Sequence, residues 1–147
     1  MSATPRLARL RSLSPLERRV LGEALLLLPV ACTALRIAGL RRTQVLLERS
    51  LRDGMPREGL DARAVARLVS IAARHGPVRA RCLAASLTLS SLLRRYGMRG
   101  DLRLGVRKRD GRLEAHAWIE HDGAALLEPP GIDGRYAVFE EAIALRR

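Results

Sequence analysis

Apolar and polar positions follow two different periods along this chain, and the change from one to the other divides it. Up to about Tyr96 apolar residues recur at helical spacing; beyond Gly100 they alternate with polar ones. Ser14-Pro15-Leu16-Glu17 combines an N-cap serine, a proline at the first helical position and a glutamate at the third, which predicts a helix start. Gly39 is its stop signal. Between them, Ala24 to Leu35 carries no charge for twelve residues, with Pro29 inside it and Glu23 and Arg36 at its flanks. A bilayer span needs roughly twenty apolar residues. This stretch therefore predicts a kinked, buried helix, and membrane contact is not the expected reading.

A second helix is predicted from Leu40 to Leu51, ending in the breaker cluster Asp53-Gly54-Met55-Pro56. Asp61 can cap a third, in which Val65, Leu68, Val69 and Ala72 share one face, and Gly76-Pro77 ends it. A fourth runs from about Arg79 to Tyr96, with Gly97 at its stop and Arg94 and Arg95 favourably placed against the helix dipole. Its apolar residues surround the axis, which marks a central, buried helix.

After Gly100, Leu102, Leu104 and Val106 alternate with Arg103, Gly105 and Arg107, the pattern of a half-buried strand. Asp110-Gly111 supplies a hairpin turn. The next strand, Leu113 to Glu120, places Glu114, His116, Trp118 and Glu120 on one face and Leu113, Ala115, Ala117 and Ile119 on the other. His121-Asp122-Gly123 leads into a third strand, Ala124 to Glu128. Helices first and then a short antiparallel meander make the class α+β.

The length of 147 residues fits one compact unit, which we divide into a helical region over 1–59 packed on a core over 60–147. Hydrophobic residues make up 48% and charged residues 29%, which excludes a disordered chain and a multi-span membrane protein. The net charge is +12, and Lys108 is the one basic residue of the 27 that is not arginine. That excess favours an acidic partner without choosing among nucleic acid, peptide and membrane surface. Aromatic residues are only 3%, too few for nucleic-acid binding by base stacking, so no nucleic-acid partner is expected. The cysteines number two, Cys32 and Cys82, and no cleavable secretory signal opens the chain, so a disulfide framework is not expected and the location expected is cytoplasmic. Cys32, in the apolar run, reads as a small buried thiol. No metal-ligand spacing, phosphate loop or serine elbow occurs, so no metal or cofactor is expected.

Cys82 falls in the first turn of the predicted central helix, where unpaired backbone N–H groups and the helix dipole stabilise a thiolate. The same N–H groups can hold a tetrahedral oxyanion. Taken alone, a cysteine in an apolar helix is more often structural, but in Glu114-Ala115-His116-Ala117-Trp118 small residues flank an imidazole within a strand, and the two together read as a nucleophile and its base. A third group must orient the imidazole. If His121-Asp122-Gly123 forms a three-residue loop, Glu120 faces Ala124 and His116 faces Glu128; a two-residue loop turns Glu128 to the other face. The competing reading of Glu128 is a solvated strand-end carboxylate.

Pro77-Val78-Arg79-Ala80-Arg81-Cys82-Leu83, then Leu92-Leu93-Arg94-Arg95-Tyr96-Gly97, Leu104-Gly105-Val106-Arg107 and Ala115-His116-Ala117-Trp118-Ile119-Glu120 resemble, in order and spacing, the leader peptidases of lasso-peptide biosynthesis. The resemblance covers about residues 60 to 140 and implies a transglutaminase-like, papain-type core, with a central helix on a short antiparallel sheet. It implies a cysteine protease that removes the leader from a ribosomal precursor before a separate cyclase closes the macrolactam, with Cys82 as nucleophile, His116 as base and Glu128 where the family usually has aspartate. Val78 stands where tryptophan is common. The family reads its leader with a recognition domain, fused or separate. The helical first 75 residues, without alternating strands, resemble the split form that depends on a partner. Two other functions share features of the sequence: a transglutaminase-like amidase or acyl transferase of another pathway, and a noncatalytic basic helical module.

Overall fold

Three helices precede a four-stranded antiparallel sheet in a computed structural model that describes residues 12–78, 80–126, 128 and 131–139. Helix α1 (Pro15–Ser50) starts as its sequence dictates: the Glu17 N–H donates to Ser14 Oγ at 3.1 Å, and the Ser14 N–H donates back to the Glu17 carboxylate at 2.8 Å. The expected stop at Gly39 is present as a break inside α1, where φ is 75° and ψ 178°. Only glycine adopts that conformation at little cost, and the helix resumes beyond it. The kink falls at Gly39 and not at Pro29, whose backbone stays helical.

Asp61 Oδ1 accepts from the Ala64 N–H at 2.7 Å and starts α2 (Ala62–His75), whose Val65, Leu68, Val69 and Ala72 are buried as their spacing requires. The central helix α3 (Cys82–Arg95) begins three residues later than expected, at Cys82 itself; Arg79 lies outside the described residues. Its apolar side chains are joined in burial by Ser86, Thr88, Ser90 and Ser91, because α1, α2 and the sheet surround it. Gly97, at φ 72°, lets the Met98 N–H return to the Leu93 carbonyl at 2.8 Å and closes the helix.

The sheet contains β1 (Asp101–Arg109), β2 (Arg112–His121), β3 (Ala124–Leu126) and β4 (Ala137–Val138), in the order β3-β2-β1-β4. Asp110 and Gly111 both have positive φ, 51° and 77°, and form the two-residue hairpin expected between β1 and β2. The second turn differs from expectation. Asp122 and Gly123, at φ 50° and 77°, form another two-residue turn, so His121 pairs with Ala124 and Ile119 with Leu126. Strand β3, expected to run to Glu128, extends as described to Leu126; residue 127 lies outside the described residues, and Glu128 is not in the ladder.

Alternation gives the sheet two working faces. Leu102, Leu104, Ala117, Ile119 and Leu126 join the helices in one apolar core. Arg103, Gly105, Arg107, Glu114, His116, Trp118 and Glu120 point the other way, where Tyr136 folds back over them.

Candidate active site

Cys82 is the first residue of α3, half-buried and with a free thiol. α1 and α2 have side-chain caps; the N-cap of α3 is Arg81, which makes no capping bond, so the N–H groups of its first turn have no side-chain acceptor there. Ser86, one turn further on, donates to the Ala117 carbonyl at 3.1 Å and fixes the start of α3 against β2.

His116 and Glu128 are brought together despite the corrected register. Among the described residues the pairing of β2 with β3 reaches as far as Ile119 and Leu126, and Glu128 lies just beyond it. The Glu128 carboxylate reaches the imidazole there: His116 Nε2–H donates to Oε1 at 2.8 Å, with both side chains mostly buried. An ionised Glu128 can only accept, so Nε2 carries the proton and Nδ1 is left as the acceptor nitrogen. The rival carboxylate, Asp122, is 91% exposed in the turn and pairs with His121.

The imidazole sits in an aromatic setting. Trp118 lies 6.0 Å from it between ring centroids and Tyr136 5.4 Å, with interplanar angles of 22° and 29°. Gly105, directly opposite His116 on β1, makes this possible: a Cβ there would stand 2.7 Å from the Tyr136 Cβ and 3.0 Å from two ring carbons of Trp118. The Arg107 guanidinium covers the outer face of Tyr136 at 4.7 Å and is hydrogen-bonded to Glu114 at 2.7 Å; that bond is the leading cause that raises its pKa. The Trp118 indole N–H donates to Glu120 at 3.2 Å, which Arg103 also holds.

Cys82 and Glu128 line one cavity of about 260 Å³, walled by Val69, Ala73, Arg74 and Leu126. No hydrogen bond joins the thiol to His116 among the described residues; Cys82 packs against the helical core, and Trp118, which shares the imidazole's face of β2, lines the same cavity as the cysteine. Arg74, exposed at the cavity wall, has no ion pair among the described residues.

Tyr136 and Gly105 are the members of this constellation that sequence reasoning did not single out. A glycine opposite the histidine in an otherwise regular strand is a signal of close approach, but Tyr136 follows Asp133-Gly134-Arg135 with no period to place it.

The chain matches the transglutaminase-like superfamily over residues 24–141. No curated protein and no solved structure matches it significantly.

Proposed function

The chain belongs to the transglutaminase-like superfamily, and on that premise we propose that it is a cysteine peptidase which removes the leader from a ribosomally made lasso-peptide precursor. The observation that carries this reading is the 2.8 Å pairing of His116 with Glu128 at the edge of a cavity that also holds a helix-start cysteine. Superfamily membership supports thiol-based acyl chemistry, and the four motifs around Cys82, Tyr96, Gly105 and His116 support the narrower substrate.

In this proposal His116 Nδ1 takes the Cys82 proton as Sγ attacks the scissile carbonyl. The oxyanion is met by the free N–H groups at the start of α3. His116 returns the proton to the leaving amine, the C–N bond breaks, and a thioester remains on Cys82. Water, deprotonated by the same imidazole, releases the leader acid and restores the thiol. Glu128 acts on the imidazole, holding its tautomer and stabilising the imidazolium. The Cys82–His116 approach closes as substrate enters, since such contacts are commonly long in an empty site.

Leader recognition belongs, in this reading, to a separate protein, and a cyclase acts downstream. Before residue 76 the described chain is helical and offers no strand edge to a peptide. The test is incubation of the chain with precursor and recognition protein, read by mass. Wild type releases intact leader, whereas Cys82→Ala and His116→Ala, folded by circular dichroism, release none. Cleavage by either variant removes the mechanism. Transfer of the acyl group to an added amine in place of hydrolysis makes the enzyme an acyl transferase instead.

A further inference from the structure

The apolar run of α1 is not the buried helix its sequence predicts. Val20, Leu21, Ala24, Leu28 and Ala31 face the core, but only 22% of the most apolar 18-residue window is buried. On the opposite side Leu26 is 74% exposed, Val30 45% and Ile37 82%. At 100° per residue these three fall within a narrow arc, with Thr33 between them, and form a continuous ridge. Helical periodicity explains the inner face; no contact within the described chain explains the outer one.

What borders the ridge limits what it can meet. Glu23, the acidic residue nearest to it, is held by Tyr96 and Arg95 and contributes no free negative charge. Arg36 flanks the ridge, and Arg41 and Arg42 follow beyond the break at Gly39; all three are exposed and without an ion pair among the described residues. A second copy packed on this face would lay arginine against arginine. Interfaces with a protein partner concentrate their energy in tryptophan, tyrosine and arginine seated in pockets, whereas this ridge is convex, aliphatic and has one hydroxyl. Aliphatic side chains on one helix face, with arginines beside them, suit the boundary between lipid headgroups and acyl chains.

We infer that the outer face of α1 docks the protein on an anionic lipid surface, with Leu26, Val30 and Ile37 entering the acyl boundary and Arg36, Arg41 and Arg42 meeting lipid phosphates. The helix lies in the plane of the surface and does not cross it, because Val20, Leu28 and Ala31 remain packed against the rest of the fold. The inference is independent of the proposed chemistry, for binding is read without substrate.

The experiment is co-sedimentation of the full chain with vesicles of phosphatidylcholine alone and of an equimolar mixture with phosphatidylglycerol. The chain sediments with the mixed vesicles and far less with the neutral ones. Leu26→Glu combined with Ile37→Glu lowers partitioning by about tenfold or more, since two carboxylates replace the inserted groups. Arg36→Gln with Arg41→Gln and Arg42→Gln lowers it for the mixed vesicles alone. Both variants keep the wild-type circular dichroism spectrum and rate of Cys82 alkylation. Three results overturn the inference: no sedimentation of the wild type, equal sedimentation of the Leu26→Glu/Ile37→Glu variant, or a loss of self-association in that variant without any vesicle binding. The second would reduce the effect to general basic charge, and the third would assign the ridge to a second copy of the chain.

Discussion

Replacing Gly105 by alanine tests whether the aromatic setting of His116 matters to its work. The new Cβ would meet Tyr136 Cβ at 2.7 Å and Trp118 ring carbons at 3.0 Å, against an optimum of about 3.5–4.0 Å for carbon pairs. Roughly 0.5–1 Å of displacement is needed to relieve this. Trp118 is 1% exposed and cannot give way easily; Tyr136 is half-buried, follows a short 3-10 turn (Asp133–Arg135), and yields first. Overpacking of this kind costs about 1–3 kcal/mol, equivalent to roughly 3–9 °C in Tm for a chain of this size. Because Tyr136 stacks on the imidazole, the displacement also reaches His116, and a misplacement of about 1 Å at a reacting group costs on the order of 10²-fold in rate. The chain has one tryptophan, so Trp118 fluorescence during guanidinium unfolding reports stability and local environment together. An unchanged emission spectrum with an unchanged midpoint would refute the packing argument. A lowered midpoint with normal turnover would refute only the link from packing to catalysis.

Glu128→Gln is expected to lower turnover by about 10³- to 10⁴-fold with little loss of stability, and Asp122→Asn to leave it nearly unchanged; normal turnover by Glu128→Gln would reduce the site to a Cys-His dyad. Iodoacetamide should label Cys82 before Cys32, and peptide mapping that finds the reverse order would remove the basis for a reactive helix-start thiol. Ala73→Phe, which fills the cavity shared by Cys82 and Glu128, should raise KM more than it lowers kcat, and unaltered KM would place the substrate elsewhere. Burial, and then the hydrogen bond to Glu23, raises the Tyr96 pKa above the ordinary tyrosine value. Its contribution is therefore complete below that value and is lost as pH rises through the folded one. Tyr96→Phe should cost about 1 kcal/mol at neutral pH and flatten the alkaline limb of a denaturation-against-pH curve. An unaltered limb would show that another group titrates there.

Local rules made most of the scaffold legible. Ser14 and Asp61 state where helices begin, and Gly39 and Gly97 where they break or close, because each solves a backbone problem confined to a few residues. The Asp110-Gly111 turn belongs to the same class. Asp122-Gly123 was open to two readings because both turn lengths use a left-handed glycine, and only the positive φ of Asp122 separates them. Glu128 meets His116 from outside the ladder, a tertiary contact that no pairing rule encodes, and the register that placed the two opposite each other is not the one the turn makes. The exposed outer face of α1 was hidden for a different reason. Apolar residues on all sides of a helix are the same string of letters whether the fold encloses both sides or one.

The shortness of β3 and β4 also bears on how the protein behaves at high concentration. Among the described residues the outer strands of the sheet have three and two residues, whereas the inner ones have nine and ten. Unpaired edges invite strands from other molecules, and short edges offer too few hydrogen bonds to hold one. Beyond its two pairs with β4, the end of β1 carries Arg107, Lys108 and Arg109; Arg107 is paired with Glu114 and Arg109 lies near Asp110, which leaves Lys108 as the charge that discourages an added strand. Strand-mediated aggregation is thus opposed by brevity on one edge and by charge on the other.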